Sequence, residues 1–224
     1  MSSKSNAGRV GVWGASGSGK SAYTKQRIAQ LKRVVMFDPL AEYENAKAVS
    51  RFIDVQREIA RNWLGFRVSY RPSMGAEMEA LDRLSAFLLR VQKPFKDGKP
   101  GRNLTLVVEE MNTAFPVSGG ARNCRNFAEI CSRGRHYGIE VIGVSQRLAE
   151  VETRFRGNCT ETVVFRQKGP RDKTAAAAEI GCNPNDLPRE NLHYLHEKNG
   201  LVSKGKVTFA ANSNRAPSAK KKRA

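Results

Sequence analysis

The octet Gly14-Ala15-Ser16-Gly17-Ser18-Gly19-Lys20-Ser21 constrains this chain more than any other stretch. Its spacing is G-x-x-x-x-G-K-S, which a chain of this length meets by chance about once in a hundred. The glycines permit a tight wrap in which successive N–H groups turn inward, a nest for phosphate oxygens. Lys20 supplies a charge for the β- and γ-phosphates, and Ser21 offers a hydroxyl to Mg²⁺. The helix opening there presents its positive end to the same anion. The context required of such a loop is present. Arg9-Val10-Gly11-Val12-Trp13 reads as a buried strand before it, and Lys20 to Leu31 as a helix after it with Ile28 and Leu31 inward. ATP with Mg²⁺ is the expected ligand.

Further segments alternate between the two periodicities. Val34-Val35-Met36-Phe37 is a second apolar strand, stopped by Asp38-Pro39 because proline cannot continue the ladder. Phe52 to Trp63 reads as helix, and Phe66 to Tyr70 alternates as a strand ending at Arg71-Pro72. Leu81, Leu84, Leu88 and Val91 recur at spacings of three and four, which predicts an amphipathic helix over Glu77 to Val91. A turn-rich link, Lys93 to Gly101, leads into strand Leu104 to Val108. Asn123 to His136 is predicted helical, with strands at Glu140 to Val144 and Thr162 to Phe165 and a hairpin around Asn199-Gly200. Strands too apolar to have a wet face, interleaved with helices, predict an α/β fold with a mainly parallel sheet covered on both sides. The expected division is a flexible arm (1–8), an ATPase domain (9–210) and a basic disordered tail (211–224) ending Lys220-Lys221-Lys222-Arg223.

Hydrolysis needs a carboxylate to position metal and a base to orient water. Leu104-Thr105-Leu106-Val107-Val108-Glu109-Glu110 places two at the C-terminal end of an apolar strand, where open α/β sheets bind ligands. Neighbouring residues on an extended chain point apart, so the pair divides the work. Glu109 is assigned to the Mg²⁺ shell and Glu110 to the nucleophilic water. Gln146 ends the strand Ile139 to Ser145 and is placed to sense the γ-phosphate or that water. Arginine suits a transferring phosphoryl group approached from a neighbouring subunit. Arg135 is the first candidate for such a finger and Arg133 the second.

Charge sets the partner. Lys plus Arg number 39 against 21 Asp plus Glu, a net +18 that favours nucleic acid. Candidate phosphate contacts are Lys93, Lys96, Lys99, Arg102, Arg122, Arg125 and the tail. The four cysteines and three histidines form no metal-ligand spacing, so the cysteines read as reduced packing residues. No apolar run reaches membrane-spanning length, and Met1 to Gly8 lacks a signal peptide's apolar stretch, so a soluble intracellular protein is expected.

Four blocks in order resemble the FtsK/HerA superfamily of DNA-pumping ATPases. They are Gly14 to Ser21; Val34 to Pro39 with Glu42-Tyr43; the Glu109-Glu110 strand; and Arg133-Gly134-Arg135-His136-Tyr137-Gly138 running into Val144-Ser145-Gln146-Arg147. The resemblance spans roughly residues 9 to 166. It implies a RecA/ASCE-like three-layer P-loop NTPase sandwich, with the strand before Gln146 lying between the P-loop strand and the Glu109-Glu110 strand. It also implies a homo-oligomeric ring, usually hexameric, that moves double-stranded DNA. A compact basic core looks most like the genome-packaging ATPases of tailless, membrane-containing (tectivirus-like) bacteriophages. Those act in the host cytoplasm or at a packaging vertex, with capsid-vertex or membrane proteins as partners. A motor for plasmid transfer or DNA processing and, in a different class, a small-molecule P-loop kinase are the alternative readings.

Overall fold

In a computed structural model describing residues 7–209, the strands are β1 (Arg9–Trp13), β2 (Arg33–Phe37), β3 (Lys47–Val49), β4 (Phe66–Tyr70), β5 (Leu104–Val108), β6 (Ile139–Ser145), β7 (Glu161–Phe165), β8 (His193–Lys198) and β9 (Leu201–Lys206). The helices are α1 (Lys20–Ile28), α2 (Phe52–Arg61), α3 (Glu77–Val91), α4 (Lys93–Lys96), α5 (Met111–Ala114), α6 (Gly120–Asn123), α7 (Arg125–Arg133), α8 (Thr153–Arg156) and α9 (Pro170–Ile180). The sheet runs β3-β4-β2-β5-β6-β1-β7-β8-β9. Strands through β7 pair in parallel, and the β8–β9 hairpin adds antiparallel at one edge. This is the α/β sandwich of RecA/ASCE-type P-loop NTPases, and β6 lies between β5 and β1 as expected. None of the helices is long and apolar enough to cross a membrane, among the described residues.

The central strands are buried on both faces, which is why they read as unbroken apolar runs. Val34, Met36, Val107, Ile142 and Val144 join Ile28 of α1 in one core layer. Val35, Phe37, Leu106, Val108 and Val141 face the other way, onto Leu81, Leu84 and Leu88 of α3 and Phe127 and Ile130 of α7. Helix α1 stops at Ile28, short of Leu31. The Arg67 guanidinium crosses from β4 to take the carbonyls of Ile28 (2.8 Å) and Leu31 (2.9 Å), satisfying the helix end. Two of the expected elements are broken up. The link after α3 begins with the helical turn α4, and the helix predicted over 123–136 is α7 followed by a 3₁₀ turn, Gly134–Tyr137.

Ala7 is buried and the Gly8 carbonyl accepts the Val141 N–H at 3.1 Å. The rest of the expected arm and the basic tail lie outside the described residues. Cys124 and Cys131 are free and buried, as packing residues should be.

At the start of β7, Glu161 joins the hairpin to α1. It accepts Arg27 Nη1 at 2.9 Å and pairs with Lys198 Nζ at 2.9 Å, with His196 Nε2 at 3.1 Å. Burial pushes the carboxyl up from its ordinary 4.5, but the Arg27 and Lys198 hydrogen bonds outweigh it and hold the group at about 2. A depressed folded-state pKa contributes stability above about pH 4.5 that is lost as pH falls toward 2. Glu161→Gln is therefore expected to cost about 2 kcal/mol near neutral pH. Thermal melts should show the gap to wild type closing as pH falls below about 4.

Candidate nucleotide site

The loop Gly14–Lys20 leaves β1 at its C-terminal end and enters α1. It is anchored on both flanks: Gly14 N–H donates to the Ser145 carbonyl (3.2 Å), and Ala15 N–H to the Arg166 carbonyl (2.8 Å). Gly19, at φ 114°, caps α1 in a conformation that side chains rarely adopt. Gly14 has no room for a side chain, because a Cβ would come within 2.7 Å of Ser18 Oγ and 2.6 Å of Phe165 Cβ. Ser18 Oγ is buried without a hydrogen-bond partner, and Lys20, 8% exposed, donates to the Ala15 carbonyl at 3.2 Å. Burial lowers the Lys20 pKa, while Glu109, Glu110 and Glu42 act to raise it. An orphaned buried hydroxyl, two glycines at positive φ (Gly17 and Gly19) and a buried lysine fit a polyphosphate with Mg²⁺. Ser21, half-buried at the start of α1, and Glu109 are the side chains that would hold the ion.

The acidic pair divides by backbone geometry. Glu110 sits at φ 46°, ψ 50°, a left-handed conformation costly for a residue with a side chain. That kink turns the two carboxylates apart. The strain is held by Met111 next in chain, whose side chain seats against Gly143 of β6, where a Cβ would lie 2.5 Å from Met111 Cε. Glu109 is buried, at 4% exposure, and accepts the Tyr43 hydroxyl at 2.6 Å. Glu110 Oε1 accepts Gln146 Nε2 at 2.8 Å. The structure thus brings together Lys20, Glu109, Glu110 and Gln146 at one end of β1, β5 and β6.

Burial pushes Glu109 up to about 7, aided by Glu42 and Asp38 and opposed by the Tyr43 hydrogen bond and Lys20. The carboxylate is electrically crowded and suited to a cation.

Sequence reasoning gave no role to the residues behind Glu109. Asp38 is fully buried and accepts Glu42 N–H (2.8 Å), Tyr43 N–H (3.2 Å) and Ser69 Oγ–H (2.8 Å), with Arg71 Nε at 3.8 Å. It folds residues 39–43 back over β2 so that Tyr43 reaches β5. The signal was the Asp38-Pro39 and Glu42-Tyr43 block that carries part of the resemblance, to which no side-chain role was attached. Asn112, which accepts the Ser145 hydroxyl at 2.8 Å, had no signal at all.

Arg133 and Arg135 are not brought to this loop. They are exposed and precede β6, whereas Gln146 follows it. The seven-residue strand between puts them about 20 Å away. Arg133 pairs with Glu129 at 3.3 Å. Lys96, against the Tyr137 hydroxyl at 3.0 Å, lies with Lys99 and Arg102 before β5 at this opposite end of the strands.

Fold and site together define a P-loop NTPase scaffold of the ASCE type. No family profile matches the sequence, and no curated protein does. Solved structures do. The genome packaging NTPase B204 from Sulfolobus turreted icosahedral virus 2, in complex with AMPPCP, matches at TM-score 0.67 and 16% identity, covering 91% of this chain and 98% of that one. The cytoplasmic domain of the type VII secretion ATPase EccC from Thermomonospora curvata matches at TM-score 0.65 and 15% identity, over 94% of this chain but 26% of that one. The pCW3 conjugation coupling protein TcpA, with ATPγS, matches at TM-score 0.55 and 16% identity, over 89% and 60%. At such identities the likeness is one of fold.

Proposed function

We propose that this chain is an ATP-hydrolysing motor of the FtsK/HerA kind that moves double-stranded DNA, and that the DNA is a viral genome entering a capsid. The observation that carries the hydrolytic reading is the Glu110–Gln146 hydrogen bond of 2.8 Å beside the buried Lys20. A kinase needs an acceptor subsite and has no use for a carboxylate poised on a glutamine at the γ-phosphate end. Packaging is taken first among motors because the genome packaging NTPase B204 matches at TM-score 0.67 against 0.55 for TcpA, and the net charge of +18 suits a nucleic-acid cargo better than a secreted protein. A plasmid-transfer motor is the second reading, supported by the likeness to TcpA.

In this reading the loop's N–H groups and Lys20 bind the β- and γ-phosphates, and Glu110 accepts the proton of the attacking water. Gln146 fixes the Glu110 carboxylate and reports on the γ-phosphate. Charge developing on the phosphate oxygens would be offset by Mg²⁺. Ser21 and Glu109 would hold the ion, and the Tyr43 hydroxyl fixes the Glu109 carboxylate for it. Tyr43→Phe should weaken Mg²⁺-dependent ATP binding about tenfold and leave Mg²⁺-free binding unchanged, read by calorimetric titration. Arg135, with Arg133 behind it, reaches the phosphates of the neighbouring copy in a homo-oligomeric ring. Lys96, Lys99, Arg102, Arg122, Arg125 and the tail contact DNA phosphates without reading sequence. The motor works in the host cytoplasm, at a vertex formed by capsid or membrane proteins.

The ATPase rate with and without duplex DNA, at low and high salt, tests this. Stimulation by duplex of any sequence, lost at high salt, together with ring assembly, is expected. A DNA-indifferent ATPase that stays monomeric contradicts the motor reading.

A further inference from the structure

We infer that Arg166, Asn191 and Leu192 form the subsite for the nucleoside end of the nucleotide and select adenine. The inference rests on the ATP reading above. The groups suited to the γ-phosphate, Lys20, Glu110 and Gln146, stand over β1, β6 and β5. The loop's other flank is β7 and then β8. A phosphate chain laid along the loop with its γ end toward β6 delivers its nucleoside over β7 and β8, where these three residues stand.

Arg166 and Leu192 are tied to the loop itself, and Asn191 is held by Arg166. The Arg166 carbonyl holds Ala15 N–H at 2.8 Å, and Leu192 N–H donates to the Ser18 carbonyl at 2.7 Å. Leu192 also lies against Gly19, whose Cβ would meet Leu192 Cα at 3.2 Å. Leu192 takes φ 69°, a strained backbone for a leucine, and its own carbonyl is tied by Val207 N–H at 2.8 Å. Under this strap the rings of Tyr23, Phe165 and Tyr194 pack with centroids 5.1–5.9 Å apart. A residue held in a strained conformation by contacts to the phosphate loop marks a place where position matters more than local energy.

The chemistry suits a purine nucleoside. Leu192 is half-buried and offers apolar surface to a base. Arg166 Nε donates to Asn191 Oδ1 at 2.8 Å, which fixes the direction of the amide at the rim. That oxygen has a second lone pair and the amide nitrogen keeps its donors, so Asn191 still presents an acceptor beside a donor. This pattern complements the amino group and neighbouring ring nitrogen of adenine, and it clashes with the carbonyl and N–H of guanine. The Arg166 guanidinium can stack on the base or contact the ribose.

The test is calorimetric binding of ATP, GTP and inorganic tripolyphosphate to the full chain. Wild type should bind ATP more tightly than GTP or tripolyphosphate. Asn191→Ala should weaken ATP about tenfold, shrink the ATP/GTP ratio and leave tripolyphosphate unchanged. Arg166→Ala should weaken both nucleotides and spare tripolyphosphate, whereas Lys20→Ala should weaken all three. An Asn191→Ala protein whose ATP/GTP ratio is unchanged, or whose tripolyphosphate binding falls in step with ATP, overturns the subsite and leaves the phosphate site standing. Wild type that binds neither ATP nor tripolyphosphate overturns both.

Discussion

Glu110→Gln is expected to bind ATP as wild type does and to hydrolyse it about a thousandfold more slowly. The substitution exchanges one carboxylate oxygen for an amide nitrogen at nearly constant shape. The amide that replaces the carboxylate can still accept Gln146 Nε2 through its remaining oxygen, so the 2.8 Å contact survives. The left-handed backbone at φ 46° costs a glutamine what it costs a glutamate, so stability should not move. What is lost is the carboxylate's negative charge and with it the capacity to take a proton from water. Single-turnover kinetics with a parallel melt and binding titration check all three statements. Retained turnover would remove Glu110 from the reaction and hand the base to another group.

The second large effect is positional. Arg135→Ala should lower the turnover of the assembled protein about a thousandfold, since a trans arginine contributes at least that much in related chemistry. Within one chain Arg135 cannot act on its own phosphates, because β6 separates it from Gln146 and the loop. The same fact makes a complementation test available. Glu110→Gln keeps its arginine and Arg135→Ala keeps its base, so a ring of both contains contacts in which each supplies the missing half. If head-to-tail contacts form at random, an equal mixture should recover up to about a quarter of wild-type activity from two inactive proteins. No recovery, with rings still assembling, would mean that Arg135 does not serve a neighbour. The same experiment with Arg133→Ala then decides between the two arginines.

Much of the sheet was legible because a two-sided parallel strand writes itself as an apolar run with a stop. β1, β2, β5, β6 and β7 were found that way, and α3 matched its heptad spacing at both ends. The elements without a sequence reading are those without such a signature. β3 is three largely exposed residues at an edge, and α9 carries four consecutive alanines rather than an apolar stripe. The short helices α5, α6 and α8 are single turns fixed by what they pack against. At the site, the loop, Glu109, Glu110 and Gln146 were readable because each sits one step past a strand the pattern already defined. The Tyr43–Glu109 bond and the Leu192 strap were not, since both join segments far apart in sequence and depend on backbone that bends against local preference. Glu109 was read from its place at a strand end, and nothing in the sequence told that it is buried with its carboxylate on the Tyr43 hydroxyl.

The central claim is that ATP turnover moves duplex DNA, and displacement of a triplex-forming strand measures that directly. The full chain, given ATP, Mg²⁺ and a duplex bearing a labelled third strand, should release the strand at a rate that falls with the length of duplex the motor must cross. Glu110→Gln should bind the same duplex and release nothing. ATP consumption without strand release at any duplex length, or equal release by Glu110→Gln, would contradict the account.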